Sequence, residues 1–120
     1  MTTNEFLRKT LSCHYLGGLF GNDRIQDVRP RAACKDGFSV SIQAGQYLYC
    51  NPREDGAERY NSVELGFPSA EDDLIIDYAE DPGDPTGTVY GYVPVEIVDE
   101  LMQKHGGIIG KVKNNVVEKF

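Results

Sequence analysis

Hydrophobic and polar residues alternate most regularly just after the Lys-Asp-Gly tripeptide at 35–37. There Phe38, Val40 and Ile42 are separated by single polar residues, a period-2 pattern that is typical of a half-buried strand. The tripeptide itself predicts a turn, because glycine accepts a positive φ and an aspartate side chain bonds its own backbone. The pattern therefore predicts a β-hairpin whose first arm is the segment 31–34.

Further extended segments are predicted along the rest of the chain. Tyr47 and Tyr49 alternate with Leu48 and Cys50, which predicts a third extended segment that ends at the Asn-Pro pair at 51–52. A strand is also predicted at 61–67 and another at 86–93, where Gly91 predicts a bulge. The tail at 108–117 has the pattern of a last strand, although its Asn-Asn pair at 114–115 argues against one. The residues predicted to share one face of the strand at 61–67 are Val63, Leu65 and Phe67.

Two helices flank these strands. Thr2 and Glu5 form a capping-box signature, and the apolar stripe behind them predicts a helix at 3–15 that stops at the glycines 17–18. Pro94 suits the first position of a second helix at 94–105, which the glycines at 106–107 end. The segment 70–78 is left open between a short helix and an irregular crossover. The residues predicted to form the buried face of the second helix are Val95, Val98, Leu101 and Met102.

The sum of these elements is a single α+β domain over residues 1–120. A chain of 120 residues suffices for one modest core. The order is a helix at 3–15, a hairpin and sheet at 25–93, a helix at 94–105 and a tail at 106–120. We expect a twisted antiparallel sheet of four to five strands, with the second helix after the last main strand.

Composition and charge narrow the classes of function. The net charge of −7 disfavours a general nucleic-acid surface. The apolar runs are too short to span a bilayer, and no export signal opens the sequence. Three cysteines without paired spacing fit a reducing cytosol rather than a disulfide framework or a zinc site. We therefore expect a cytoplasmic protein that has no metal and no cofactor.

The sequence also contains few candidate catalytic motifs. Cys13 and His14 are neighbours on the predicted first helix, where successive side chains point about 100° apart and do not face each other. The GGLFGN stretch at 17–22 lacks the preceding strand and the Lys-Ser/Thr of a phosphate loop. We expect a binding protein rather than an enzyme.

Seven carboxylates lie between residues 71 and 84. A solvated loop surface explains them, and so does an ordered mimic of a DNA backbone that blocks a basic channel. The second interpretation predicts an acidic inhibitor of a host defence complex of the CRISPR type, and it stays open as the alternative function.

Arginines and tyrosines are the residues best suited to hold a nucleotide. Guanidinium groups match phosphate oxygens in pairs, and tyrosine rings stack on bases. In the alternative interpretation the tyrosines fill the faces of the sheet and the arginines balance an acidic surface. The residues concerned are Arg29, Arg31, Arg53, Arg59, Tyr47, Tyr49, Tyr78, Tyr90 and Tyr92.

Three phrases of the sequence carry a resemblance to small phage and prophage proteins. They are VRPR…CKDGFSVSIQAGQYLYCNPRE, VELGFPS and TVYGYVPVEIVDELMQKHGG, and together they span about residues 25–107. Among those proteins the chain most resembles the Thoeris anti-defence family of signal sponges.

The resemblance implies a non-enzymatic protein in the host bacterial cytoplasm. It would sequester the cyclic ADP-ribose isomer made by TIR-domain sensors, and some family members also hold cyclic trinucleotides, in hexamers assembled from dimers. It implies a ligand between protomers, held by Arg53, Tyr78, Thr88, Tyr90 and His105. An arginine would serve a phosphate better than the histidine does. Two further ligand residues, Arg29 and Arg31, are predicted from their chemistry alone.

Overall fold

Six antiparallel strands form the main sheet of the protein, in the order β6-β5-β4-β3-β7-β8. The structure, a computed structural model, describes residues 1–16 and 23–120. Strands β1 and β2 form a separate two-stranded ribbon. The elements are α1 (Thr3–Lys9), β1 (Cys13–Leu16), β2 (Asp23–Gln26), β3 (Arg31–Cys34), β4 (Ser39–Gln43), β5 (Ser62–Gly66), a 3₁₀ turn (Ile76–Tyr78), β6 (Val89–Pro94), α2 (Val95–Lys104), β7 (Ile108–Lys113) and β8 (Val116–Lys119).

The central hairpin is formed as predicted. Ala32 of β3 lies opposite Val40 of β4, and the turn between them places Gly37 at a φ of 98°. The Asp36 carboxylate accepts a hydrogen bond of 2.9 Å from the backbone N–H of Phe38, which fixes the turn. The α+β class is confirmed, but the sheet contains six strands rather than four to five.

The first helix is shorter than predicted. Its capping box is present, with the N–H of Glu5 donating to the Thr2 hydroxyl, but α1 ends at Lys9 rather than residue 15. The Thr10 hydroxyl donates to the carbonyl oxygen of Phe6 at 2.7 Å and so satisfies a carbonyl of the last turn. Residues 13–16 then pair with β2, so Cys13 and His14 are strand residues. The glycine stop predicted at 17–18 lies outside the described residues.

The tail supplies two strands instead of one. Asn114 and Asn115 adopt left-handed φ values of 53° and 62°, which is the geometry of a tight hairpin turn. The asparagine pair that argued against a strand therefore joins β7 to β8. Strand β7 inserts beside β3, so the second helix is not the end of the sheet-forming chain.

One predicted extended segment is irregular, and so is the segment at 70–78, which the sequence left open between a short helix and an irregular crossover. Residues 47–50 form turns rather than a strand, with the N–H of Leu48 donating back to the carbonyl of Gly45. Residues 70–78 are an irregular crossover that contains only the 3₁₀ turn. The Ser69 hydroxyl accepts from the N–H of Ser39 and so ties the crossover to the sheet. A local turn therefore replaces the strand predicted at 47–50, and a bond between two residues far apart in the sequence holds the crossover against the sheet.

The remaining strands follow the predicted alternation up to their ends. Val63 and Leu65 are buried, but Phe67 lies beyond the end of β5, is 51% exposed and has a φ of 48°. The prediction that it shares their face is therefore wrong. The bulge in β6 is confirmed. Pro94 precedes α2 as its N-cap rather than being its first residue, and the four predicted apolar residues of that helix are buried.

Both helices and the main sheet contribute to one core. Phe6 and Leu7 of α1 are buried in the same cluster as Leu101 and Met102 of α2 and the apolar residues of β3–β6. No described helix is long and apolar enough to cross a membrane.

Replacing Gly110 with alanine is expected to detach β8 from β7. A Cβ at this position would lie 2.3 Å from the carbonyl oxygen of Glu118 in the paired strand, a contact that the backbone must move to relieve. We expect the β8 amides to lose about tenfold in hydrogen-exchange protection, which corresponds to about 1.4 kcal/mol.

The matched control for this change is Gly66→Ala in β5. There the nearest atom to an added Cβ is at 3.5 Å, an ordinary van der Waals contact. Unchanged exchange at the β8 amides in the Gly110→Ala variant would contradict the prediction.

Candidate functional site

Arg29, the first of the predicted ligand residues, is buried and forms hydrogen bonds to the backbone of its own chain. It is 3% exposed, and its guanidinium donates to the carbonyl oxygens of Leu7 at 3.1 Å and Ala44 at 2.9 Å. Burial lowers the pKa of the Arg29 guanidinium, because an apolar surrounding disfavours its charge. Its donors are therefore directed at the backbone of α1 and of the segment after β4.

Three more of the predicted residues bond to neighbouring loops. The Arg31 guanidinium donates to the carbonyl oxygens of Phe67 at 2.6 Å and Ser39 at 3.0 Å. The Thr88 hydroxyl accepts from the N–H of Asp81 at 3.0 Å. The Tyr90 ring is fully buried, and its hydroxyl donates to a loop carbonyl, that of Pro85. These side chains hold the ends of the sheet to the loops around it.

His105 is held between two carboxylates. Its Nδ1 lies 2.7 Å from Asp36 and its Nε2 lies 3.0 Å from Asp72, while its ring stacks on Phe38 at 4.0 Å. The bond from the N–H of Phe38, followed by the one from His105, lowers the pKa of Asp36. Both ring nitrogens are thus occupied, and the cluster joins the central turn, the crossover and the end of α2.

The last two predicted residues differ in exposure. Tyr78 is half-buried and packs against the core. Arg53 is exposed, and its guanidinium carbon lies 6.0 Å from the centre of the Tyr49 ring, within the range of a cation–π contact. The seven predicted residues do not converge, and Arg53 is the one whose side chain is exposed beside aromatic rings.

Arg53 borders a hollow that we call the tyrosine shelf, which is lined by Tyr49, Glu80, Val89, Gly91 and Tyr92. The hollow has a volume of about 280 Å³. The two tyrosine rings are 49% and 48% exposed, and their centres lie 5.9 Å apart with an angle of 42° between the ring planes. Two large aromatic faces are therefore open to solvent side by side.

The β6 bulge builds the shelf. In the register of β5 and β6, Val93 lies opposite Val63 and Tyr90 opposite Leu65, so two β6 residues face one residue of β5. Tyr92 takes a φ of 51°, which is strained for a residue with a side chain. Its N–H donates to the carbonyl of Tyr49 at 2.9 Å, and this bond fixes the two rings relative to each other.

A small residue at position 91 is needed for this approach. A Cβ on Gly91 would lie 3.3 Å from the Cβ of Tyr49, closer than most such contacts. Gly91 was predicted as a bulge. Tyr49 and Tyr92 were among the tyrosines recognised as suited to a nucleotide, but neither was among the seven predicted ligand residues. The bulge was the available signal, because a bulge redirects the side chain next to it.

The tyrosine shelf can bind a ligand, but it has few groups that could catalyse a reaction. Tyrosine faces stack on heterocycles, and one guanidinium can reach a phosphate. Glu80 is exposed at the rim and offers an acceptor for a ligand N–H. The described residues contain no cluster of three or more histidine, cysteine or carboxylate side chains placed to hold a metal ion.

The carboxylates of the acidic stretch at 71–84 differ in burial and in hydrogen bonding. Asp72 is buried, and the Asp81 carboxylate accepts from the N–H of Gly83 within its own turn. The exposed carboxylates of the stretch are Glu71, Asp73, Asp77, Glu80, Asp81 and Asp84.

Compared with known proteins, the chain matches no family model, no curated protein and no solved structure. The resemblance to the Thoeris anti-defence family therefore stays a prediction.

Proposed function

We propose that this protein captures a nucleotide signal by stacking its base on the tyrosine shelf, and that it releases the ligand unchanged. The observation that carries the proposal is the pair of exposed tyrosine rings that a strained backbone at Tyr92 holds together beside Arg53. Strained non-glycine residues cluster at functional sites, where the surrounding fold maintains them. The ligand class that fits is a nucleotide that presents one flat ring and one phosphate to the shelf.

The strength of such a site favours an oligomer. A stacked base contributes about 1–3 kcal/mol, and a charge-assisted bond to phosphate contributes about 1.5–3 kcal/mol. Effective capture of a signal requires a Kd of micromolar or lower, about −8 kcal/mol or better. A second protomer that closes the open shelf would supply the missing contacts. The proposal therefore includes a homo-oligomer, either a dimer or a hexamer assembled from dimers.

The resemblance supplies the proposed ligand and setting. The ligand would be the cyclic ADP-ribose isomer of TIR-domain signalling, or a cyclic trinucleotide, sequestered in the cytoplasm of the host bacterium. Capture of this kind is stoichiometric and requires no catalytic group. An anti-defence protein of this class would act by lowering the free concentration of the signal.

Replacing Tyr92 with glycine tests the proposal without destabilising the fold. Glycine removes the ring and accepts the left-handed backbone, so we expect equal or slightly higher stability, by up to about 1 kcal/mol. Binding of the cyclic ADP-ribose isomer, measured by isothermal titration calorimetry, should weaken at least tenfold, because one stacking face is lost.

Phe67→Gly is the matched control. Phe67 is also a half-exposed aromatic residue with a positive φ, but it does not line the shelf. This variant should bind the ligand like the native chain. A native chain that binds no cyclic nucleotide would refute the proposal, and mass spectrometry showing a cleaved ligand would replace capture with catalysis. Inhibition of a host complex that is lost when the six exposed carboxylates at 71–84 are neutralised would favour the acidic inhibitor instead.

A further inference from the structure

We propose that a second site, distinct from the tyrosine shelf, binds the phosphates of an oligophosphate ester. The site is a hollow of about 430 Å³ whose lining includes Lys9, Ser12, Val28, Lys111 and Lys113, and we call it the basic hollow. Its volume is in the usual range for small-ligand sites. No known role of the chain and no predicted ligand residue accounts for it.

The fold brings the three lysines together from distant parts of the chain. Lys111 and Lys113 are alternate residues of β7, so their side chains leave the same face of the sheet. Lys111 lies opposite Ala32 of the neighbouring strand, which is buried, so this is the face that the core covers elsewhere. Lys9 closes the last turn of α1, and the hollow lies where α1 stops covering the end of the sheet.

The charge in the hollow is opposite to that of the whole protein. The chain carries a net charge of −7, yet the described residues that line the basic hollow include three lysines and no carboxylate. Two carboxylates lie close to this lining. Glu118 lies 3.9 Å from the Lys111 ammonium group, at the limit of an ion pair, and Asp27 accepts a hydrogen bond of 2.9 Å from the hydroxyl of Ser12. The Lys9 ammonium group lies 5.8 Å from the centre of the Phe120 ring. Three like charges within about one Debye length repel each other, and a multiply charged anion relieves this repulsion.

Val28 connects the basic hollow to a smaller apolar pocket. It is 84% exposed and lines both cavities, and the second cavity, of about 160 Å³, is also lined by Gln26, Tyr47 and Leu48. A ligand that crosses Val28 could place phosphates on the lysines and a small ring in the apolar pocket.

An unpaired acceptor in that pocket points to the same ligand class. The Gln26 side-chain oxygen is the only buried side-chain nitrogen or oxygen without a hydrogen-bond partner among the described residues. The Gln26 amide nitrogen donates to the carbonyl of Ala44 at 2.6 Å, which orients the oxygen as a free acceptor. The oxygen is closed to solvent in the unliganded protein, so a ligand N–H reaches it only when the Gln26 amide turns toward the pocket. That bond would relieve the cost of an unpaired buried acceptor. The ligand class is therefore an oligophosphate ester whose ring carries an N–H donor.

The basic hollow and the shelf are too far apart to share one small ligand within a protomer. Strands β6 and β7 are separated by three intervening strands, which places them roughly 19 Å apart at about 4.8 Å per strand spacing. Binding at one site can therefore be measured without the other.

Two probes test the site, inorganic triphosphate and ATP, each titrated into the ¹⁵N-labelled full chain at low salt. Triphosphate has no ring to stack, so its expected effect is a set of shifted amides at residues 9–12 and 111–113. ATP should shift the same amides and, in addition, those at 45–48 and the side-chain amide of Gln26, and it should bind more tightly than triphosphate.

The double variant Lys111→Gln/Lys113→Gln should weaken the binding of both probes at least tenfold. Lys119→Gln is its matched control, because it removes one positive charge from the same hairpin. Lys119 lies opposite Gly110, out of phase with Lys111 and Lys113, so its side chain leaves the other face and the control should bind like the native chain.

The outcomes separate this proposal from the nucleotide capture at the shelf. Absence of shifts at 9–12 and 111–113 with either probe, or equal weakening by Lys119→Gln, would overturn the basic hollow and leave the shelf untouched. ATP shifts confined to Tyr49, Gly91 and Tyr92 would likewise overturn it while supporting the shelf. Shifts at the lysines with no effect of Tyr92→Gly would support the basic hollow by itself.

Discussion

Replacing Arg29 with alanine should lower the free energy of unfolding by about 3 kcal/mol. The guanidinium is buried and donates to the carbonyl oxygens of Leu7 and Ala44. The variant therefore leaves the Leu7 carbonyl unpaired, removes one of the two donors to the Ala44 carbonyl, which keeps the bond from the Gln26 amide, and opens a cavity. The Leu7 carbonyl is in the last turn of α1, where no further helical N–H is available to it. Urea unfolding at neutral pH, followed by circular dichroism, measures the change.

The matched control for this variant is Arg59→Ala, which removes an exposed arginine and should change stability by no more than about 0.5 kcal/mol. Arg29→Met adds a second comparison, because methionine fills most of the cavity that alanine would leave but donates no hydrogen bond to the Leu7 or Ala44 carbonyl. It should fall between the other two. Equal stability of Arg29→Ala and the native chain would contradict a structural role and return Arg29 to the candidate ligand residues.

Replacing Asp72 with alanine should cost about 2 kcal/mol at neutral pH. Its side chain is 3% exposed and accepts from Lys104 at 3.1 Å and from the N–H of Leu74 at 3.0 Å, in addition to its contact with His105. The variant leaves these donors without their acceptor and loosens the crossover from the end of α2. Asp73→Ala is the control, since Asp73 is exposed and should alter stability little.

The same carboxylate makes stability depend on pH. Burial alone would raise the pKa of Asp72, but the bonds from Leu74, His105 and Lys104 outweigh it and lower that pKa. A carboxylate with a lowered pKa in the folded state stabilises the protein above its unfolded pKa, about 4, and this stabilisation is lost as the pH falls through the folded pKa.

Urea unfolding between pH 7 and pH 3 checks this expectation. The free energy of unfolding of the native chain should be nearly constant down to about pH 5 and should fall below about pH 4. In Asp72→Asn the fall should be shallower, although the lowered pKa of Asp36 leaves part of it. A native curve and a variant curve that stay parallel through this range would show that Asp72 does not contribute to the acid sensitivity.

Some of the candidate binding residues could be recognised from the sequence, and others could not. The tyrosines and Arg53 were recognised as groups that suit a nucleotide, and the shelf contains two of those tyrosines beside that arginine. The sequence could not separate them from Arg29 and Arg31, which have the same chemistry but donate to backbone carbonyls 22 and 36 residues away. Lys9, Lys111 and Lys113 were overlooked, because only the tertiary structure places the end of α1 and the end of β7 around one hollow.

The sequence by itself determined the elements whose causes are local. Turn residues and strict alternation predicted the central hairpin, the capping box predicted where α1 begins, and the apolar face of α2 was predicted residue by residue. These features depend on backbone preferences and on side-chain periods within a few residues. Tertiary structure alone decided where α1 ends, that β7 pairs with β3, and which arginine stays exposed. Each of these depends on hydrogen-bond partners far away along the chain, because buried polar groups must be paired by whatever group the fold places next to them.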